Sequence, residues 1–208
     1  MLEQDRTQRG GRRAQHGVTL VELAIGLAIV GVLLALALPN FTIFLQNAQI
    51  KNAAETTLSG LTLAKTEAVR RNVTMRFQLM STVTDACAAS TTALNWVVSR
   101  DDAAGACATA PSDTAAPRIV QIKSAQEGSR NVTVTTTGGS LVVFNALGRP
   151  TAAGITAIDL KNPTGGTCEH EDATNGTMRC LRVEVTTGGA IRMCDPKVTA
   201  ATDPRKCS

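Results

Sequence analysis

Aromatic side chains are scarce in this sequence: four Phe, one Trp and no Tyr among 208 residues, with none from 179 onwards. A surface that holds nucleic acid by stacking bases on aromatic rings has nothing to build on in that last segment. Histidine is equally rare, with only His16 and His170. No G-x-S-x-G, H-E-x-x-H or phosphate-loop pattern occurs, so the sequence offers no framework for a serine hydrolase, a zincin or a P-loop enzyme. Glu169, Glu171 and Asp172 crowd one Gly- and Asn-bounded segment that reads as a hydrated turn. No C-x-x-C pair is present, and Cys168 and His170 in "TCEHED" lack spaced partners, so no metal or other cofactor is expected. The expectation is a protein without catalytic activity.

What the sequence does have is one long apolar run. Val18 to Leu38 is 21 residues with only Thr19 and Glu22 strongly polar. As a helix it is about 31 Å long, matching a hydrocarbon core of ~30 Å. The run exceeds the ~7 to 15 residues of a cleaved secretory signal and leads through Pro39 into another helical pattern without a small-x-small site. A plain membrane anchor fits the length but not Glu22, because an ionisable group in a bilayer is costly and marks a function or a partner. Before the run, Arg6, Arg9, Arg12 and Arg13 outnumber Glu3 and Asp5, which keeps that side cytoplasmic and accounts for half of the formal net charge of +4. A cut after Gly17 places a new cationic terminus at Val18, four residues and one helical turn from Glu22.

Gly17-Val18-Thr19-Leu20-Val21-Glu22, followed by an apolar helix with Pro39 at its end, resembles the class III signal of type IV pilins and type II secretion pseudopilins. Val18 departs from the phenylalanine usual there but keeps an apolar side chain and an amine. The resemblance implies cleavage after Gly17 by a prepilin peptidase and methylation of Val18. It also implies recognition through Gly17, Val18, Thr19 and Glu22, and assembly through Val18, Glu22 and Pro39. The expected organisation is a leader at 1–17, a transmembrane and filament-core helix at 18–38, an amphipathic continuation at 39–71, and a globular β domain at 72–208.

Past Pro39, Phe41, Phe44, Leu45, Ala48, Leu58, Leu61, Ala64 and Ala68 recur at three-and-four spacing, predicting one helix from about Thr19 to Arg71 with one face buried. Pro39 removes a backbone donor within it, so a local loosening is expected there. From Val73 the period becomes two. Strands are expected at 73–80, 94–100, 118–123, 131–136, 140–145, 155–160, 180–185 and 190–194, with a loop at 101–117. Gly138-Gly139 and Gly188-Gly189 are expected to make tight hairpins. The fold class is α+β, a long helix packed on an antiparallel β domain.

Cys87, Cys107, Cys168, Cys180, Cys194 and Cys207 all follow the apolar run, where an oxidising periplasm would face them. Six cysteines allow fifteen pairings. Joining neighbours, 87 to 107, 168 to 180 and 194 to 207, closes three local loops and is preferred; the rival joins Cys180 to Cys194 across a hairpin.

The end of the chain, "MRCLRVEVTTGGAIRMCDP" and "TDPRKC", resembles that of GspH/FimT/FimU-type minor pilins. That resemblance implies a place at or near the filament tip, a role in priming assembly, and contacts with other minor pilins and the major pilin through the N-terminal helix. It further implies an inner-membrane assembly platform as partner, and a path from the bacterial inner membrane to a pilus or pseudopilus at the cell surface. Some relatives bind DNA through a G-R-x-R stretch in this hairpin. Here the stretch is Gly189-Ala190-Ile191-Arg192, with one arginine replaced. Arg179, Arg182, Gly189, Arg192 and Lys197 are the candidate DNA contacts, and losing a phosphate-binding cation weakens such binding. The expectation is a pilus scaffold, with a type II secretion pseudopilin and a DNA receptor as alternatives.

Overall fold

The computed structural model describes residues 18–151 and 154–208, apart from the side chains at 37, 39 and 40. The expected leader and Gly17 lie outside the described residues. The chain divides into two compact units, one ending at Asn40 and the other running from Phe41 to Ser208.

Helix α1 is assigned over Leu20–Arg71. In the first unit its described side chains, from Leu20 to Leu38, are exposed all round, as are Val18 and Thr19. Among the described residues no single helix is long and apolar enough to cross a membrane; Leu20–Leu36 and Phe41–Arg71 meet that test only as a pair. Side-chain effects at Pro39 lie outside the described set.

In the second unit α1 buries Ile50, Ala53, Ala54, Thr57, Leu61, Ala64 and Ala68, an i, i+3, i+4, i+7 series. This corrects the expected stripe. Phe41, Phe44, Leu45 and Ala48 are exposed, because they precede Ile50 in a different phase and fall on another side of the helix. The helix ends where Asn72 adopts φ 54°. There Val73 N–H donates to Ala68 O at 3.2 Å and Asn72 N–H to Val69 O at 3.3 Å, satisfying carbonyls of the last turn.

Among the described residues eight strands follow: β1 (Met75–Met80), β2 (Asn95–Ser99), β3 (Ile119–Lys123), β4 (Thr133–Thr137), β5 (Leu141–Phe144), β6 (Ala157–Lys161), β7 (Leu181–Val185) and β8 (Ile191–Cys194). Each expected strand exists, trimmed by a residue or two or shifted by that much. They form two four-stranded antiparallel sheets, in the orders β3-β2-β1-β5 and β4-β6-β7-β8.

That order corrects one expected hairpin. Gly138 and Gly139 do adopt positive φ, 93° and 112°, and a Cβ on Gly138 would lie 2.0 Å from Gly154 O. They nevertheless carry the chain from one sheet to the other, since β4 pairs with β6 while β5 pairs with β1. The second expected hairpin is present. Gly189 N–H donates to Thr186 O at 2.8 Å and Thr186 N–H to Ala190 O at 2.9 Å, with Gly189 at φ 82°. This is a three-residue loop closed by a glycine bulge.

The principal core packs Leu61, Ala64 and Ala68 of α1 with Phe77, Trp96, Phe144, Ile158, Leu160 and Val183. Each such large side chain contributes about 1.5–3 kcal/mol of transfer free energy. Val134 belongs to the same core, while Leu58 and Ile191 sit half-buried at its margin. A smaller cluster of Met80, Cys87, Val97, Ala103, Cys107 and Ile119 lies apart from it. The segment at 101–117 contains no strand, as expected, yet it buries Ala103 and Cys107. Gln78 is buried in β1, where its amide donates to Asp102 Oδ1 at 2.8 Å and accepts from Ala103 N–H at 3.1 Å.

Candidate functional site

At the start of α1, Thr19 caps the helix. Its Oγ1 accepts from Glu22 N–H at 3.2 Å, and its carbonyl accepts from Leu23 N–H at 3.1 Å. Thr19-x-x-Glu22 has the spacing of a capping box, in which the acid occupies the third helical position. A carboxylate in the first turn also faces the positive end of the helix dipole. This local role adds to the processing and assembly roles expected of Glu22, and the T-x-x-E spacing is its signal in the sequence. Among the described residues the Glu22 carboxylate itself has no partner, and Val18 is exposed.

The cysteines are joined as Cys87–Cys107, Cys168–Cys180 and Cys194–Cys207, with Cα separations of 6.1, 5.5 and 5.1 Å. Among the described residues two groups bring potential metal donors within 4.8 Å of one another, Cys168 with His170 and Glu171, and Glu184 with Cys194 and Cys207. Every sulfur in them is spent in a disulfide, so neither group can offer a thiolate ligand.

The candidate DNA contacts gather on and beside the β7–β8 hairpin. The structure gives each side chain a carboxylate. Arg192 donates from Nε and Nη2 to Glu184 Oε2 at 3.0 and 2.8 Å. Arg182 donates from Nε and Nη2 to the two oxygens of Asp159 at 2.7 and 3.1 Å, and that hydrogen bonding raises its pKa above the ordinary arginine value. Arg179 Nε donates to the buried Asp195 at 2.9 Å, and Lys197 Nζ to Glu169 at 2.5 Å. Farther along the tail, Arg205 holds the Asp203 carboxyl down at about 2 by hydrogen bonding. A phosphate would have to share each of these cations with an acid already in place.

Gly189, the first residue of the DNA-like stretch, is buried at the hairpin tip. Its carbonyl accepts from Lys65 Nζ of α1 at 2.8 Å, and a Cβ there would stand 2.2 Å from Gly148 O. Its position is explained by packing. The anchoring lysine, 124 residues away in sequence, carried no signal in the sequence.

Beside this hairpin lies a groove of about 540 Å³ between α1 and the last sheet, lined by Phe44, Asn47, Ala48, Lys51, Arg179, Leu181 and Met193.

A long N-terminal helix whose second half packs on antiparallel sheets, with an apolar exposed first half, defines a pilin-like α+β protein. The family model for type II transport protein GspH matches residues 53–196, and that for the prokaryotic N-terminal methylation motif matches residues 12–38. The chain belongs to the type II transport protein GspH family. Among solved structures it is similar to the type IV minor pilin FimU of Pseudomonas aeruginosa in two crystal forms. One shares 14% identity, covering 72% of this chain and 91% of that one at a TM-score of 0.45. The other shares 11% identity, covering 69% and 90% at 0.41. No curated protein matches the sequence significantly.

Proposed function

We propose that this chain is a minor pilin that helps prime a type IV pilus and sits at or near its tip. In this reading a prepilin peptidase removes residues 1–17 and methylates Val18, and residues 18–38 hold the subunit in the inner membrane. The globular domain at 72–208 faces the periplasm, and the subunit joins other minor pilins and the major pilin through α1. The observation that carries the reading is the methylation motif at 12–38, which takes in the stretch of helix from Leu20 to Leu38 whose described apolar side chains are exposed on every side. A surface of that kind needs lipid or neighbouring helices around it. The Thr19 cap, with a Glu22 carboxylate that has no partner among the described residues, leaves an acid free for a new amino terminus one turn away.

The match to a type II transport family favours a second reading, the H-type pseudopilin of a secretion system. The DNA-receptor reading has less behind it, because Ala190 replaces an arginine and the remaining cations are paired.

Mass spectrometry of membrane and filament material is expected to find a methylated Val18 terminus. Intact Met1 in filaments would overturn the processing scheme. Deleting the gene is expected to abolish or reduce piliation, whereas loss of protein secretion with normal pili would select the pseudopilin. Glu22→Ala is expected to block assembly while leaving the globular domain folded.

A further inference from the structure

Three of the four sheet edges are met by outside segments. Ser112 N–H reaches Ile119 O on β3, Val134 N–H of β4 reaches Thr92 O, and Thr151 and Ile155 N–H reach Val143 and Leu141 O on β5. The fourth edge, β8, is met by the tail only just past its end, where Asp195 N–H donates to Arg205 O at 2.8 Å, and is open along Ile191 and Met193 among the described residues. Antiparallel residue pairs alternate between bonded and unbonded. Thr186 N–H donates to Ala190 O, so Glu184–Arg192 and Arg182–Cys194 are the bonded pairs farther along the same register. The N–H and C=O of Ile191 and Met193 therefore point away from β7, and no backbone or side-chain group among the described residues meets them. An edge of this kind is a template for another strand.

The side chains at this edge are incomplete in the same way. Val183 and Val185 of β7 are buried, whereas Ile191 and Met193, their register partners on β8, are only half-buried. Met193 and Leu181 form one wall of the 540 Å³ groove, with the exposed Phe44 and Ala48 of α1 on the other. The charged residues lining that groove are Lys51 and Arg179. Among the described residues Lys51 has one ionic contact, the solvent-exposed Glu55 at 3.7 Å, worth little. Arg179 uses Nε for Asp195, and its two terminal nitrogens have no partner among the described residues.

We infer that β8 is a docking edge, where an extended segment of a neighbouring pilin-type subunit adds as the next strand of the sheet. Its alternate apolar side chains fill the groove against Phe44, Ala48 and Met193, and a carboxylate on it meets Arg179 and Lys51. Backbone pairing supplies affinity and the groove supplies selection. The neighbour's identity as a pilin-type subunit rests on the proposed function; the strand-accepting edge does not.

The test reads amide hydrogen exchange of the full chain in detergent micelles and in filaments. The micellar probes are two short peptides of alternating Val and Thr, one with a central Glu and one with a central Lys. The Glu peptide is expected to slow exchange at Ile191 and Met193 by roughly tenfold or more, and the Lys peptide to do markedly less. Met193→Pro removes an outward N–H while sparing the β7 bonds, a change that edge strands tolerate. It is expected to abolish peptide protection while leaving the melting temperature within a few degrees. Wild-type protection by neither peptide, or equally by both, would overturn the strand or its charge match respectively. Protection confined to α1 would mean a helix docks instead. In filaments, a chain processed at Gly17 and assembled with Ile191 and Met193 unprotected refutes the docking edge and leaves the pilin reading intact. A chain neither processed nor assembled refutes the pilin reading, and the peptides still decide the edge.

Discussion

Gly60 lies so close to Trp96 that a Cβ on it would stand 2.9 Å from the indole Cζ2, and equally close to Phe77 Cε2. The two rings form a tilted pair with centroids 5.6 Å apart beneath the helix. Glycine in mid-helix normally costs ~1 kcal/mol relative to alanine. Here the missing methyl is what lets α1 approach the first sheet. Gly60→Ala is expected to lower stability by about 1–2 kcal/mol despite its better helix propensity, because overpacking a fitted core costs more than propensity returns. A urea midpoint that rises in the variant would show that the rings move aside freely.

Arg192 is expected to matter for folding before it matters for any ligand. Glu184 is buried and accepts from Arg192 and from Ser208 N–H at 3.0 and 3.2 Å. Arg192→Ala leaves that carboxylate short of donors and is expected to cost about 1–3 kcal/mol. Adding Glu184→Gln should recover part of the loss in a double-mutant cycle. An unchanged melting temperature in Arg192→Ala would show the ion pair to be dispensable, and only then would loss of DNA binding in that variant report on DNA.

The tail from 195 to 208 is tied down by Cys194–Cys207, separated by 13 residues, and by Asp195 N–H donating to Arg205 O at 2.8 Å. Replacing both cysteines by serine is expected to cost about 3 kcal/mol on the chain-entropy account. Limited proteolysis should then cut first within this tail. Cleavage elsewhere first would place the weakest segment outside it.

Acid should loosen the 101–107 segment through Asp102. Hydrogen bonding from Gln78 and then from Ala104 N–H holds its carboxyl below the ordinary aspartate range, against a smaller opposing effect of burial. A folded-state value below the unfolded one means that the contribution is complete above about pH 4 and is lost as pH falls through the folded value. In acid titrations of stability Asp102→Asn is expected to flatten the low-pH limb. A limb unchanged in the variant would assign the acid sensitivity to other carboxylates.

Local patterns in the sequence located the helix and all eight strands, because period and turn chemistry act over a few residues. The end of α1 at Arg71 was legible for the same reason. Sheet order was not. Gly138-Gly139 marks a reversal, but whether β5 returns to β4 or leaves for β1 depends on contacts such as Met75 opposite Phe144, which no local window contains. The stripe through Phe41 and Phe44 misled because those residues are apolar without being covered in the chain alone. Arg182 opposite Asp159 required the β6–β7 register. Arg192 beside Glu184, by contrast, could have been found by folding the hairpin about Gly188.

The link at Gly138-Gly139 has a further consequence for how the domain can come into being. Each sheet borrows a strand from the other's stretch of chain: β5 completes the sheet begun by β1 to β3, while β4 waits for β6. The two halves are clasped like interlaced fingers, and severing the chain between them leaves neither with a finished sheet. A chain emerging end first can settle its β1–β3 meander early, with Cys87 and Cys107, which are joined in the folded chain, both present before any later cysteine has emerged. Closure of the clasp must wait for β6, so a subunit halted before that point leaves β4 unpaired and part of the core side of α1 uncovered, a species for quality-control proteases to find.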